Sequence, residues 1–130
     1  MFVDTSGFLC RYEPSEESHD KAVNIYDSSV NLLTSSYVLA EYTALAQVRG
    51  ISRQHIISFS EQIIDKNEVE IVWVSSKLHL SAVKLLAERA DKSYSLCDAV
   101  SFLIMRGRGI TEALTTDRHF EQEGFVRLLK

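Results

Sequence analysis

The sequence predicts an α/β fold, a three-layer sandwich with a mostly parallel sheet of four to five strands. Short apolar runs, several rich in β-branched residues, alternate with longer segments whose apolar residues recur at helical spacing. These longer segments can supply the crossover connections that parallel strands need. The chain of 130 residues has one Pro, five Gly and no repeat or low-complexity tract, so we expect a single domain over residues 1–130.

The elements are expected in the order strand, helix, strand, helices, strand, helices, strand. The strands are predicted at 1–4, 30–35, 69–74 and 110–117, with a possible last strand at 125–129. The helices are predicted at 5–12, 14–27, 35–50, 52–65, 76–91, 93–107 and 118–123. Pro14 followed by acidic residues favours a helix start, and Gly50 favours a helix end.

Composition limits the classes of function. No apolar run approaches the roughly 20 residues that span a bilayer, and no basic and apolar leader precedes Asp4, so we expect a soluble cytoplasmic protein. Cys10 and Cys97 have no metal-binding spacing, which favours reduced thiols. The net charge is −4, so a nucleic-acid partner would need a local basic patch or a bound cation.

Two acidic residues are expected where strands end. Asp4 closes the first predicted strand and Asp117 closes the fourth. In a parallel sheet the carboxyl ends of the strands share one edge, which is where ligands bind. The alternative interpretation is that each Asp caps the helix that follows it.

Two further acidic residues lie within predicted helices. Spacing of three and four residues places Glu41 on one face with Tyr37, Leu45 and Val48, an apolar stripe unless that end of the helix faces solvent. Asp98 lies in a helix that is apolar nearly all round, where it shares a face with Tyr94, Phe102 and Met105. The alternative for Asp98 is a capping box with Ser95.

Taken together, the four acids predict a metal site. No basic residue is an obvious partner for any of them, and carboxylates gathered at one edge repel one another unless a cation neutralises them. Mg²⁺ or Mn²⁺ suits such oxygen ligands. The chemistry that uses such ions is hydrolysis of a phosphodiester bond.

Four stretches in order resemble the PIN-domain ribonucleases, specifically the small VapC-type toxins of toxin–antitoxin pairs. They are VDTSGFL, LTSSYVLAEYTAL, SLCDAVSFLIM and ALTTDRHFEQEGF, and the resemblance covers essentially the whole chain. It implies that Asp4, Glu41, Asp98 and Asp117 form the catalytic and metal-binding quartet, with Asp4 and Asp98 the firmest ligands. Ser6 and Thr115 occupy positions where the family often places hydroxyls near the metal or the scissile phosphate.

The resemblance also implies an activity and partners. We expect an endoribonuclease that depends on Mg²⁺ (or Mn²⁺) and cleaves tRNA or other structured RNA. We expect a cognate antitoxin whose tail fills the groove, a homodimer and no membrane partner. Arg118, beside Asp117, is a further candidate for binding the substrate phosphate.

Other residues have weaker interpretations. Arg106 and Arg108 could bind phosphate or an antitoxin carboxylate, or could lie at a solvated helix end capped by glycine. The aromatic residues Trp73, Phe102 and Tyr42 are assigned to the core or a dimer interface rather than to base stacking. The four histidines lack ligand spacing, so none, including His119, is given a catalytic role.

Two other functions are alternatives to this interpretation. A phosphatase of the haloacid dehalogenase type would need a second Asp two residues after Asp4, and that position is Ser6. A catalytically silent PIN-like module that binds protein or RNA would be expected to have lost acids of the quartet, and all four are present. No phosphate-binding loop, dinucleotide fingerprint or zinc-ligand pair occurs.

Overall fold

A sheet of five parallel strands forms the centre of the structure, a computed structural model that describes residues 1–130. The strands are β1 Phe2–Val3, β2 Leu32–Ser35, β3 Val69–Val72, β4 Glu112–Leu114 and β5 Val126–Arg127. They lie in the order β3-β2-β1-β4-β5, and every neighbouring pair is parallel. The predicted parallel sheet is therefore confirmed, and β1 lies at its centre.

Seven helices connect the strands. They are α1 Thr5–Tyr12, α2 His19–Ser28, α3 Ser36–Val48, α4 Arg53–Asp65, α5 Ser76–Glu88, α6 Leu96–Arg108 and α7 His119–Gln122. None of them combines the length and the apolar character that crossing a bilayer requires.

Aromatic residues form two separate clusters, which show that helices cover both faces of the sheet. The first cluster takes one residue from each of α1 to α4: Phe8, Tyr26, Tyr42 and Phe59. The second is centred on Phe102 of α6, with Tyr94, Phe120 and Phe125 around it. Right-handed crossovers applied to this strand order place α1 to α4 opposite α5 to α7, which agrees with the two clusters. The predicted three-layer α/β sandwich is confirmed.

Two local predictions are wrong. Helix α2 begins at His19 rather than Pro14, because the amides of Glu16 and His19 bond to the carbonyls of Glu13 and Glu16 and form turns. The core alternative for Trp73 also fails, since this residue is 64% exposed just beyond the edge strand β3, while its other alternative, a dimer interface, stays a prediction. Tyr42 and Phe102 do lie in the buried core.

Gly7 allows α1 to lie directly against the end of β4. A Cβ atom at this position would lie 2.1 Å from the carbonyl oxygen of Leu114, which is a backbone atom and cannot move aside cheaply. The same carbonyl accepts a hydrogen bond from the amide of Asp4 at 3.2 Å. The glycine therefore sets the distance between α1, which follows Asp4, and the end of β4, which leads into the loop that carries Asp117.

We expect Gly7→Ala to lower the free energy of unfolding by about 2 kcal/mol, because the added methyl group must push the two backbones apart. Urea denaturation measures this change. The matched control is Gly107→Ala in α6, where a Cβ atom meets nothing within 4 Å and alanine should stabilise the helix by up to about 1 kcal/mol. Equal effects of the two substitutions would contradict the close approach.

Candidate active site

The candidate residues lie at the carboxyl edge of the sheet, where loops and helix starts follow the strands. Asp4 follows β1 directly, and Thr115 and Asp117 follow β4. Glu41 lies in the second turn of α3, which begins immediately after β2, and Asp98 lies in the first turn of α6.

Asp4 is a buried carboxylate that does not cap a helix. It occupies the N-cap position of α1, yet its side chain makes no capping hydrogen bond. Oδ2 instead accepts a hydrogen bond from the hydroxyl of Thr115 at 2.9 Å. Burial raises the pKa of Asp4 to about 7, and the negative charges of Asp98 and Glu41 act in the same direction. The capping interpretation of Asp4 is therefore wrong.

Glu41 is exposed but is held in place. Its Oε1 accepts a hydrogen bond from the hydroxyl of Thr5 at 2.6 Å, which ties α3 to the start of α1. The predicted apolar stripe around Glu41 is wrong. The buried face of α3 carries Val38, Tyr42 and Ala46, and Val48 is 84% exposed.

Asp98 is buried, and one of its oxygens has two donors. It forms the predicted capping box, in which the amide of Ser95 donates to Oδ2 at 3.0 Å and the hydroxyl of Ser95 accepts from the amide of Asp98. His119 Nδ1 lies 3.0 Å from the same Oδ2. Capping and burial therefore occur together at this residue.

Asp117 belongs to a loop that hydroxyl groups hold against α1. Its amide donates to Thr115 Oγ1 at 3.0 Å, and its Oδ1 accepts from the amide of His119 at 2.9 Å, so this oxygen does cap the start of α7. Ser6 Oγ lies 3.1 Å from Thr115 Oγ1 and accepts from the amide of Thr116. Thr115 is fully buried, and its hydroxyl therefore connects Asp4, Ser6 and Asp117.

Each of the four carboxylates keeps one oxygen without a hydrogen bond. The protein engages Oδ2 of Asp4, Oε1 of Glu41, Oδ2 of Asp98 and Oδ1 of Asp117. No Lys or Arg forms an ion pair with any of the four. Unpaired, partly desolvated carboxylate oxygens are the ligands that a hard divalent cation prefers, so this donor set fits Mg²⁺ or Mn²⁺.

The thiol of Cys97 lies near three of these carboxylates. Burial raises the pKa of Cys97, and the charges of Glu41, Asp4 and Asp98 raise it further. Cys97 and Cys10 are both buried and free. The thiol therefore stays protonated and adds no negative charge to the site.

Comparisons with known proteins agree with this geometry. The family model described as PIN domain matches residues 1–125. The chain belongs to the PIN domain family. The 23S rRNA-specific endonuclease VapC20 of Mycobacterium tuberculosis is 29% identical over 129 residues, which are 98% of this chain and 97% of the relative. The crystal structure of M. tuberculosis VapC20, described as a sarcin-ricin loop cleaving toxin, matches with a TM-score of 0.90 and 28% identity over 99% of this chain and 98% of that one.

The PIN domain recognised from the sequence, and its similarity to VapC-type toxins, are thus confirmed. Membership in this nuclease family also supports the prediction of an enzyme that hydrolyses RNA. The individual roles of the quartet remain predictions that rest on the geometry.

The arginines of this PIN domain differ in whether their guanidinium groups are already paired with an acid. Arg106 donates to Glu123 at 2.8 Å and Arg108 donates to Glu70 at 2.7 Å, while Gly109 ends α6 with a φ of 66°. The glycine-capped helix end is therefore the correct interpretation of these two residues. Arg118 is exposed, and its guanidinium makes no hydrogen bond or ion pair.

Two residues of the site were missed by sequence reasoning. Thr5 lies within the stretch VDTSGFL, which predicts no role for it, yet its hydroxyl binds Glu41, 36 positions away. The histidines lack regular ligand spacing, which predicts no catalytic role for His119, yet its ring contacts Asp98. Its position two residues after Asp117 was the only local signal, because the contact depends on how α7 docks against α6.

We expect the metal-free protein to lose stability as pH rises from about 4 to about 7. The pKa of Asp4 is raised in the folded state, so the unfolded chain releases this proton first and ionisation favours unfolding. Asp4→Asn removes the charge but can still accept from Thr115. In chelator at pH 8 the variant should therefore melt at a higher temperature than the wild type, and at pH 5 the difference should shrink. A variant that melts lower at pH 8 would contradict the buried, unfavourable charge.

Proposed function

We propose that this protein is a metal-dependent endoribonuclease and the toxin of a toxin–antitoxin pair. The observation that carries the proposal is the set of four carboxylates, each held through one oxygen and each with the other oxygen unpaired. Carboxylates in this state are poorly stabilised alone and well suited to a cation. A structural role for all four acids would be better served by Lys or Arg partners, and they have none.

Asp4 and Asp98 would hold Mg²⁺ or Mn²⁺ most directly, because both are buried at the edge of the sheet. Glu41 and Asp117 are more exposed and would bind the ion's water molecules or complete its shell. A bound divalent ion would activate water and stabilise charge on the attacking and leaving oxygens of the phosphodiester. Hydrolysis would leave a 5′-phosphate and a 3′-hydroxyl, as the family resemblance implies.

Thr115, Ser6 and Arg118 differ in how free they are to contact a substrate phosphate. Thr115 is fully buried and its hydroxyl is committed to Asp4, which favours a role in orienting this carboxylate over the predicted contact with phosphate. Ser6 is only partly buried, and Arg118 is exposed and unpaired beside Asp117. Arg118 is therefore the first candidate for binding the substrate phosphate, and Ser6, whose hydroxyl is paired with Thr115 and with the amide of Thr116, is the second.

Structured RNA is the proposed substrate. The relative VapC20 is described as a 23S rRNA-specific endonuclease. Its crystal structure is described as that of a toxin that cleaves the sarcin-ricin loop. Because that similarity extends over nearly the whole of both chains, a ribosomal RNA hairpin is the first substrate to test, with tRNA as the second. The exposed Glu41 and half-buried Asp117 leave the site open on one side to a macromolecule.

The proposal includes a cognate antitoxin, a homodimer and a cytoplasmic location. Support for a protein partner comes from exposed apolar residues outside the acidic site. Leu80 and Val83 lie one turn apart on α5 and are 67% and 46% exposed, and Trp73 is exposed just after β3. A second copy of the chain is the partner we assign to this face.

The alternative is a catalytically silent PIN-like module that binds protein or RNA. The complete quartet argues against it, because binding alone does not require unpaired carboxylates. Cleavage measured with site variants separates the two functions.

The test is cleavage of ribosomal RNA and tRNA by the purified chain in Mg²⁺ and in EDTA. Asp98→Asn should reduce the rate about 100-fold or more, since an ion supplies several kcal/mol of transition-state stabilisation. Asp65→Asn is the matched control, because Asp65 is exposed at the end of α4 and its side chain makes no hydrogen bond or ion pair.

Cuts that need both the metal and Asp98, and that end in 5′-phosphates, would support the proposal. RNA binding without cleavage would favour the silent module. Cleavage that survives in EDTA or in Asp98→Asn would refute the assigned mechanism.

A further inference from the structure

His119 is the one histidine whose ring contacts the acidic site. It is the first residue of α7, two positions after Asp117, and its side chain is 25% exposed. Ligand atoms of Asp98, Asp117 and His119 all lie within 4.8 Å of one another. The ring could therefore act in either of two ways, as a metal ligand or as a support for a carboxylate.

Contacts on every side fix the orientation of this ring. Nδ1 lies 3.0 Å from Asp98 Oδ2, and Nε2 lies 3.2 Å from Ser93 Oγ. The ring packs edge-to-face on Tyr94, with centroids 5.1 Å apart, and Tyr94 packs on the core residue Phe102. The backbone amide of His119 is bound to Asp117 at the same time. The ring is thus connected both to the site and to the second aromatic cluster.

The hydrogen bonds at Asp98 define which ring nitrogen of His119 donates a hydrogen bond. Oδ2 accepts from the Ser95 amide, which can only donate, so this oxygen is an acceptor with room for a second donor. His119 Nδ1 is in position to be that donor, and the hydroxyl of Ser93 can donate in turn to Nε2. Two donors then share Oδ2, and Oδ1 of Asp98 is left without a partner.

We propose that His119 is a positioning residue that holds the Asp98 carboxylate with Oδ1 turned towards the bound cation. The inference rests on the proposed function, because it assumes that Asp98 is a metal ligand. It assigns no direct metal bond to His119, since the nitrogen nearest the site is committed to Asp98 Oδ2. Groups that orient a ligand in this way usually contribute a factor of about 10 to 100 to metal affinity.

Two substitutions separate the hydrogen bond from the packing of the ring. His119→Ala removes both, whereas His119→Asn removes the ring but places an amide nitrogen at the same distance from Cβ as Nδ1. Both variants lose the contact with Tyr94 equally. Any difference in metal affinity between them therefore reports the donor to Asp98.

The experiment is titration of each purified protein with Mn²⁺, with free Mn²⁺ followed by electron paramagnetic resonance and no RNA present. We expect His119→Ala to weaken binding at least about tenfold and His119→Asn to stay within about threefold of the wild type. The exposed His55 side chain makes no hydrogen bond or ion pair and lies outside the acidic site, so His55→Ala should leave affinity unchanged. Melting temperatures in chelator should fall by similar amounts for the two His119 variants.

Three results would overturn the inference, and they are distinguishable. Unchanged affinity in His119→Ala would show that the ring does not position Asp98. Losses in His119→Asn and His119→Ala that both equal the loss in Asp98→Asn would identify the ring as a direct ligand. A wild-type protein that binds no Mn²⁺ would refute the metal dependence of the proposed function itself, independently of His119.

Discussion

Four carboxylates held close together at one edge of a sheet are the constraint on which this structure depends. Like charges at the border of a core repel one another, and Asp4 pays for its burial with a pKa raised to about 7. One oxygen of each acid accepts a hydrogen bond from a hydroxyl or an amide. For Asp4 and Glu41 this donor lies far away in the sequence, and for Asp98 and Asp117 it lies three and two residues away. Thr115, Thr5, Ser95 and the amide of His119 have this role. The other oxygen of each acid has no hydrogen bond, and this is the donor set proposed to bind a divalent cation.

The fold supplies the positions that this arrangement needs. The central strand β1 ends at Asp4, and its neighbours β2 and β4 lead into the segments that carry Glu41 and Asp117. Gly7 lets α1 pack against the carbonyl of Leu114, so the hydroxyl of Ser6 reaches the loop after β4. The ion pairs of Glu123 with Arg89 and Arg106 connect the segment after α7 to α5 and α6. Glu123 is almost fully buried, so these pairs hold α7, and with it His119, near Asp98.

Sequence periodicity predicts the order of strands and helices along the chain, and the acids at predicted strand ends point to the carboxyl edge of the sheet. The order of strands within the sheet comes from the structure. Asp4 and Asp117 are recognisable because each follows an apolar strand, and Asp98 because it interrupts an apolar helix. Glu41 was placed on the wrong face, because periodicity in a helix of mixed character does not say which of two adjacent apolar stripes is buried. Thr5 and His119 were missed for a different reason. Their contacts join residues 36 and 21 positions apart, and only the packing of α1 on α3 and of α7 on α6 brings them together.

The central claim is that the four unpaired oxygens bind one divalent cation, and the most direct test is a crystal of the wild-type protein soaked in Mn²⁺. An anomalous difference map locates the ion without reference to activity. The account predicts a peak in contact with carboxylate oxygens of Asp4 and Asp98, with Glu41 and Asp117 facing it directly or through water. A map with no peak at this edge of the sheet, or a peak held by other residues, would contradict it.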